Sequence, residues 1–473
     1  MNSKHLLNQV GIECDENREI RQIVRYAHMA CMFSVYVDVY EDSQQYIELA
    51  LKKGALVITE KEIEGCYIID NARRTLTDLV QILYGFPHQK MKMIGVTGTC
   101  GKSTMVHLIR SCLKDQKKEC LCVMTHQVLV RDEVILTHNT TPDALFLIPL
   151  MSKCLDEGID TVVMEISSEA YVLWRTEGYR FDVLIGTMIA SDHLDTHQNL
   201  ENYHLIKKKI LSLSKPDGVV LLNEDDAVLS SMKSDLPGYV MTYGQSSSDF
   251  RFTDVQLSLS GSSFCFQNRN IKTKLLSLAN VYHLVAAMCC GFVLDLKFEC
   301  MLQWCEEVSG CPGRFEVVHT SPMIMIDYAH TQKAMEHVLS FLRSVSDRRI
   351  ICVFGCGGHR DKSKRPLMGK TACMYSDVII VTSDNPRDED PVKIINEICE
   401  GCDKEVVVEV DRVKAIEMAL TMSTKNDIIV LIGKGDETST FSKGEMIPYS
   451  DRDIVRRYLK EDKLWEMCFL CLH

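Results

Sequence analysis

No stretch of this sequence approaches the about 18 consecutive apolar residues that a membrane-spanning helix requires, so no transmembrane segment is expected. Met1 to Gln9 lack the long apolar core of a secretion signal, and a cytoplasmic protein follows as the expectation. Positive charge is also in short supply: 53 Lys and Arg stand against 65 Asp and Glu, a net charge of −12. That balance argues against a general nucleic-acid binder, so an anionic ligand has to be held by local cations and backbone N–H groups. The chain has 21 cysteines. They are scattered, many in apolar runs such as Cys289–Cys290 and around Cys352, and read as small buried hydrophobes kept reduced. Cys468, Cys471 and His473 could form a metal clip, but the reading as ordinary reduced cysteines is favoured.

What is present is Met93-Ile94-Gly95-Val96-Thr97-Gly98-Thr99-Cys100-Gly101-Lys102-Ser103-Thr104. Met93 to Val96 reads as a buried strand, the glycines permit a tight turn, and a helical pattern opens at Thr104. Strand, glycine loop and helix make a phosphate cradle, because loop N–H groups and a helix N-terminus converge on one anion. Lys102 would neutralise the distal charge, and the Ser103 hydroxyl stands where a Mg²⁺ ligand is needed. A strict G-x4-G-K-[ST] pattern needs glycine at position 96, which is Val96; the nearest glycines are Gly95 and Gly98.

At 473 residues, two to four domains are expected. Residues 1–88 mix short strands (Ala55–Thr59, Tyr67–Ile69) with helices (Ser43–Lys53, Arg74–Tyr84), and the turn cluster Tyr84 to His88 closes that unit. Residues 89–312 alternate strands and helices in the manner of a doubly wound sheet, with strands at Leu121–Met124, Thr161–Ile166, Val183–Met188 and Gly218–Leu222. Ligands of such sheets sit at the carboxyl ends of the strands. There stand Glu165 with Ser167 and Ser168, and Asp192-His193-Leu194-Asp195. Residues 313–473 alternate again: strands Met323–Ile326, Ile350–Phe354, Val378–Thr382, Glu405–Val410 and Asp427–Ile432, with helices from Gln332, Val392–Cys399 and Val413–Met422.

With these residues laid out, the chain resembles the Mur ligase family, most closely its MurE type. The family's loop is T-G-T-x-G-K-[ST], here Thr97 to Ser103, which accounts for the non-Walker spacing. Further matches follow in order: Asn139 to Pro142; Glu165 to Ser168; Asp192 to Asp195 with Glu201, Tyr203 and Lys207; Asn280-Val281-Tyr282; and Pro312-Gly313-Arg314. They continue with Asp327 to Thr331; Phe354 to Gly358; Arg360-Asp361-Lys362; Lys364 to Gly369; Asp384-Asn385-Pro386-Arg387; and Gly433-Lys434-Gly435 with Glu437.

The resemblance implies an α/β protein of three domains: an N-terminal UDP-sugar domain, a central P-loop-type ATPase sheet and a C-terminal Rossmann-like domain for the incoming amino acid. It implies ATP and Mg²⁺, phosphorylation of a peptide carboxylate to an acyl phosphate, and displacement of phosphate by an amine. Gly98, Thr99, Gly101, Lys102, Ser103 and Thr104 would hold the nucleotide, with Asn280 near the adenine and Arg314, Asp327 and His330 from the C-terminal domain. Ser103, Glu165, His193 and Lys207 are the implied metal positions, and Lys102, Lys207 and His193 the catalytic ones. Lys207 stands 15 residues after Asp192, the register at which the family carries a carbamylated lysine. Thr140, Thr141, Ser168 and Arg175 match positions that hold the nucleotide-sugar peptide.

Charge speaks to the amino acid. Meso-diaminopimelate has a distal carboxylate where lysine has none. Arg387 would grip it in a bidentate fork, Arg360 would add to it, and Asp384, Asn385, Gly433 and Glu437 complete the implied site. The implied partners are a UDP-N-acetylmuramoyl dipeptide and that amino acid, with no nucleic acid, and a monomer is expected.

The match departs from the family pattern at Glu169 and Asp436, which replace usual histidines, at His283 for asparagine and at Gln332 for proline. The N-terminal domain departs furthest, since the usual serine-containing uridine segment is not evident. Two other readings fit the same residues: a divergent ligase using another carboxylate or amino acid such as L-lysine, and a silent nucleotide-binding relative.

Overall fold

The computed structural model describes residues 1–137, 139–189 and 199–470, with side chains described up to 460. The chain divides into two compact units: residues 1–253 with 265–269 and 282–305, and residues 254–264 and 270–281 with 306–473.

The first unit opens with four parallel strands, β1 (Gln22–Val24), β2 (Ser34–Val37), β3 (Leu56–Thr59) and β4 (Tyr67–Ile68), in that spatial order. Successive side chains alternate faces. Val35, Val37, Leu56 and Ile58 join a core with Leu76, Leu79 and Val80 of the helix Ala72–Leu83. Tyr36 and Val57 join another with Ile47 and Ala50 of the helix Gln44–Lys52. Both faces of β2 and β3 are covered, which is why those two strands are mostly apolar.

The larger sheet of this unit is built on β5 (Lys92–Thr97), followed by β6 (Leu121–Met124), β7 (Gln127–Val130), β8 (Glu133–Leu136), β9 (Thr161–Glu165), β10 (Phe181–Gly186), β11 (Ser214–Asn223) and β12 (Tyr239–Gly244). The order is β12-β11-β10-β5-β9-β6-β7-β8, parallel from β12 to β6 and antiparallel through β7 and β8. The chain passes from one side of β5 to the other between β9 and β10. The carboxyl end of β5 is therefore a topological switch point, where an open α/β sheet leaves a crevice.

Three short strands, β13 (Phe250–Ser258), β14 (Gly261–Phe266) and β15 (Arg269–Thr273), are divided between the two units. The second unit has β16 (Glu316–Thr320), β17 (Met323–Asp327), β18 (Ile350–Phe354), β19 (Val378–Val381), β20 (Val407–Val408) and β21 (Ile428–Ile432). Their order is β16-β17-β21-β18-β19-β20, parallel except for β16. Met335 and Leu339, Met368, and Ile394 and Ile398 bring the helices Gln332–Val345, Lys364–Tyr375 and Pro391–Cys399 into one core. Ala415 and Ile416 of Arg412–Met422 and Val455 of the last helix bring theirs into another. A hairpin of β22 (Ser439–Ser442) and β23 (Glu445–Pro448) follows β21.

The chain is an α/β protein with a central nucleotide-type sheet and a second Rossmann-like sheet. Among the described residues no helix is long and apolar enough to cross a membrane. The helix expected from Thr104 begins at Lys102, because Gly101 caps it, and the strand expected to run to Met188 ends at Gly186, where Thr187 turns toward the phosphate loop. The strand expected over Glu405–Val410 shrinks to two residues, the only part that pairs with β19. Strands β1, β2, β7, β8, β12 to β16, β22 and β23 were not expected from the sequence. Their alternation of polar and apolar residues is short, and Glu133–Leu136 and Glu445–Pro448 bury no side chain.

Candidate active site

All six residues of β5 except Lys92 are buried, including Val96 at the position where a Walker pattern has glycine. The strand runs on through Thr97 and the turn begins at Gly98. Gly98 has φ +154°, and a Cβ there would lie 2.0 Å from Thr187 Oγ1. Gly101, at φ +84°, caps the helix Lys102–Asp115, and a Cβ there would lie 2.1 Å from His283 Nε2. Only glycine suits either place. The Thr187 hydroxyl donates to Cys100 O at 2.7 Å and fixes the tip of the loop.

Two ammonium groups converge on one carbonyl of this loop. Lys102 Nζ donates to Gly98 O at 3.0 Å and to Thr99 O at 3.1 Å. Lys207, on the helix Leu200–Leu211, donates from Nζ to Gly98 O and to Thr97 Oγ1, both at 3.1 Å. Lys207 is 1% exposed and its Nζ stands 5.2 Å from the Tyr203 ring centre. Tyr203 in turn shares a hydrogen bond of 2.9 Å between its hydroxyl and Thr99 Oγ1. Ser103 and Thr104 occupy the first turn of the helix, Ser103 half-buried and Thr104 buried.

Glu165 ends β9, in register with Val96 of β5. Its carboxylate is buried and accepts from Thr125 N at 2.9 Å and Thr125 Oγ1 at 3.0 Å. The Thr125 hydroxyl also reaches Thr140 Oγ1 at 3.3 Å. Thr141 donates its hydroxyl to Glu165 O at 2.8 Å, and Arg175 donates to Thr141 O at 3.1 Å. Thr140, Thr141, Arg175 and Ser168 thus gather around the same strand end, with Ser168 opening the short helix Ser168–Val172. Burial lowers the Arg175 pKa, and Glu169 stands 3.7 Å from its guanidinium. The Glu169 anion, where the family has a histidine, therefore partners a cation expected to hold the nucleotide-sugar peptide. Asp143 of the same loop pairs with Arg25 of the N-terminal sheet.

His193 lies outside the described residues, as do Asp192 and Asp195 and the cysteine–histidine pair Cys471 and His473. Among the described residues no three His, Cys, Asp or Glu side chains are grouped to hold a metal ion. The donors present are a buried carboxylate at Glu165 and the hydroxyls of Ser103 and Thr97. This hard-oxygen set fits Mg²⁺ that keeps waters and shares phosphate oxygens, and it does not form an all-protein cage.

The remaining positions belong to the second unit. Asn280 is buried and its amide donates to Leu276 O at 2.9 Å. Asp327 ends β17 and accepts from Phe315 N and Ala329 N, each at 2.8 Å. Burial raises its pKa, partly offset by Arg314. Arg314 lies over the Tyr328 ring at 3.8 Å, and Tyr328 meets the His330 ring edge-on.

Gly433, at the end of β21, donates its N–H to Asp327 O at 3.0 Å. Asp384 is partly buried, and desolvation raises its pKa against the pull of Arg412 and Lys434. The Asn385 amide donates to Glu437 Oε2 at 2.8 Å, while its oxygen accepts from Lys434 Nζ at 3.0 Å and Phe441 N at 2.9 Å. Lys434, fully buried, also donates to Glu437 Oε2 at 2.9 Å and Ser439 O at 2.7 Å. Arg387 sits in the left-handed region at φ +54°, pinned by Phe441 O and Lys443 N. Its guanidinium donates to Gly358 O, and burial and the nearby Arg360 lower its pKa. Asp384, Asn385, Arg387, Gly433 and Glu437 are thus brought together, with the exposed Arg360 beside them.

Residues 96–291 match the Mur ligase middle domain and residues 313–435 the Mur ligase glutamate ligase domain. A UDP-N-acetylmuramoyl-L-alanyl-D-glutamate–2,6-diaminopimelate ligase of Caldanaerobacter subterraneus is 37% identical over 89% of this chain and 90% of its own length. The chain belongs to the Mur ligase family. A ligase of the same name from Bacillus cereus is 32% identical over 94% of this chain and 93% of its own. A solved structure of a ligase with that name superposes with a TM-score of 0.71 at 26% identity, covering 98% and 99% of the two chains. In this Mur ligase, three residues that sequence reasoning gave no role are integral to the geometry: Thr125, Lys434 and Arg365. Lys434 and Arg365 lie inside quoted motifs, and their burial is the signal that sequence does not carry.

Proposed function

We propose that the chain is an ATP-dependent ligase that joins meso-diaminopimelate to the glutamate carboxylate of UDP-N-acetylmuramoyl-L-alanyl-D-glutamate, working in the cytoplasm as a monomer. The carrying observation is the convergence of Lys102 and Lys207 on Gly98 O beside the buried Glu165. Lys102, held by the Gly98 and Thr99 carbonyls, keeps its charge for an incoming anion.

On this reading residues 1–88 hold the nucleotide-sugar, 89–312 the ATP and 313–473 the amino acid. Lys102 and the loop N–H groups stabilise charge as the γ-phosphoryl group moves from ATP to the carboxylate, giving ADP and an acyl phosphate. The amine then attacks the acyl carbon, phosphate leaves and one amide forms. Mg²⁺, when bound with the nucleotide, supplies further neutralisation of the phosphates, and Ser103, Glu165 and His193 are the residues that would hold it. Lys207 acts as a carbamate, as the family resemblance implies, and its buried place at Thr97 and Gly98 keeps that group at the loop. Thr99, Gly101 and Thr104 shape the cradle; Asn280, Arg314, Asp327 and His330 are further nucleotide contacts that the family resemblance implies. Thr140, Thr141, Ser168 and Arg175 bind the peptide of the nucleotide-sugar.

Choice of amino acid rests on the paired charges of the second unit. Arg387 and Arg360 take the distal carboxylate, while Asp384 and Glu437, with Asn385 and Gly433, take the distal ammonium. Lysine satisfies only the second half. Incubation with ATP, Mg²⁺, the UDP-linked dipeptide and diaminopimelate, followed by mass spectrometry, should yield ADP and the UDP-linked tripeptide. Unchanged dipeptide would contradict the proposal.

A further inference from the structure

We infer that Arg365, acting through Glu389, is a positioning residue for amino-acid selection, because it locks together the two loops that carry Arg360 and Arg387. The inference rests on the reading that those two arginines take the distal carboxylate. Arg365 lies in the first turn of the helix Lys364–Tyr375, and its side chain is fully buried, so it does not itself meet a ligand.

Its guanidinium reaches three places. It forms a fork to Glu389, with contacts of 3.1 and 3.3 Å to the two carboxylate oxygens. It donates to Glu397 Oε2 at 2.5 Å on the helix Pro391–Cys399, and to Gly357 O at 3.2 Å in the loop after β18. Glu389 passes the hold on: its Oε1 accepts from His359 N at 2.5 Å, one residue before Arg360. Glu389 N in turn donates to Pro386 O at 3.0 Å, one residue before Arg387. The two loops also meet directly, through Gly358 N to Asn385 O at 2.9 Å and the Arg387 guanidinium on Gly358 O.

His359 and Arg387 both have left-handed backbones, at φ +50° and +54°. Side-chain-bearing residues hold such conformations only when their surroundings impose them. Here each stands within two residues of a bond made to, or by, Glu389. An ammonium at position 365 carries the same charge but cannot fork onto Glu389 while reaching Gly357 and Glu397. Arg365→Lys therefore keeps the charge and loses the geometry.

Arg365→Lys and the milder Glu389→Gln should be made in the full chain. KM for diaminopimelate should rise by about 10- to 50-fold, with KM for ATP within about twofold, as expected when a supporting shell is loosened. Discrimination against L-lysine should narrow in the same variants, a readout that a general loss of stability would not move. Equal rises in both KM values, or a fall in kcat alone, would overturn the inference. Amide hydrogen exchange supplies a readout that needs no turnover: exchange should quicken at residues 355–362 and 384–389 in both variants. Unchanged exchange in those loops would overturn the inference even if the wild type proves inactive with diaminopimelate. That inactivity would instead refute the reading of the site.

Discussion

The Lys102 cation of the phosphate loop and the buried cations of the second unit are partnered in opposite ways. Lys102 rests on two backbone carbonyls. Arg365, Lys434 and Arg412 rest on carboxylates, at Glu389 and Glu397, Glu437, and Asp451. A carbonyl supplies a dipole and leaves the net charge of the lysine uncancelled, so it still attracts phosphate. A carboxylate cancels the charge and leaves a directional strut. Arg387 follows the phosphate-loop pattern inside the second region, since its guanidinium rests on Gly358 O. The partner type thus sets Lys102 and Arg387 apart from Arg365, Lys434 and Arg412.

The largest effect should come from Lys102→Ala, which removes a carbonyl-held cation: phosphate release should fall by about 1,000-fold or more. Near-normal turnover would break the comparison at its strongest point. Lys207→Ala should lower kcat by about 100-fold, the loss of the group proposed to act as a carbamate at the loop, while KM for diaminopimelate holds. Arg387→Ala should raise KM for diaminopimelate by about 10- to 100-fold, the loss of one charge-assisted pair, with little change in KM for ATP.

The smallest effect concerns a strut. The fork from Arg365 holds the Glu389 carboxyl at about 2, below its ordinary 4.5. A depressed carboxylate stabilises the fold above its ordinary value, and that contribution is lost as pH falls from about 4.5 to about 2. Thermal unfolding of Glu389→Gln should therefore depend less on pH in that window than the wild type does. Equal slopes would show that the fork is not a strut.

The phosphate loop was legible in the sequence because its parts are contiguous: Thr97 to Ser103 brings strand end, glycines, lysine and hydroxyl within one turn. The expected amino-acid site is assembled from loops that follow β18, β19 and β21, and only the family resemblance gathered Arg360, Asp384, Arg387 and Glu437 into one site. Lys434 shows what remained hidden. Its motif Gly433-Lys434-Gly435 gave it no role, yet it is fully buried and bonded to Asn385, Glu437 and Ser439. Parallel strands buried on both faces, such as Ile350–Phe354 and Ile428–Ile432, were visible as apolar runs. The exposed hairpin strands were not, because burial on one face or none leaves no such run.

The central claim is that the carbonyl-held cations of both regions serve one ligation reaction. Phosphate release from ATP with UDP-N-acetylmuramoyl-L-alanyl-D-glutamate, comparing meso-diaminopimelate with L-lysine, tests it most directly. Release with diaminopimelate and little with lysine is the expected result. Release with lysine alone would contradict the role given to Arg387 and Arg360, and silence with both would contradict the ligase reaction proposed for this chain.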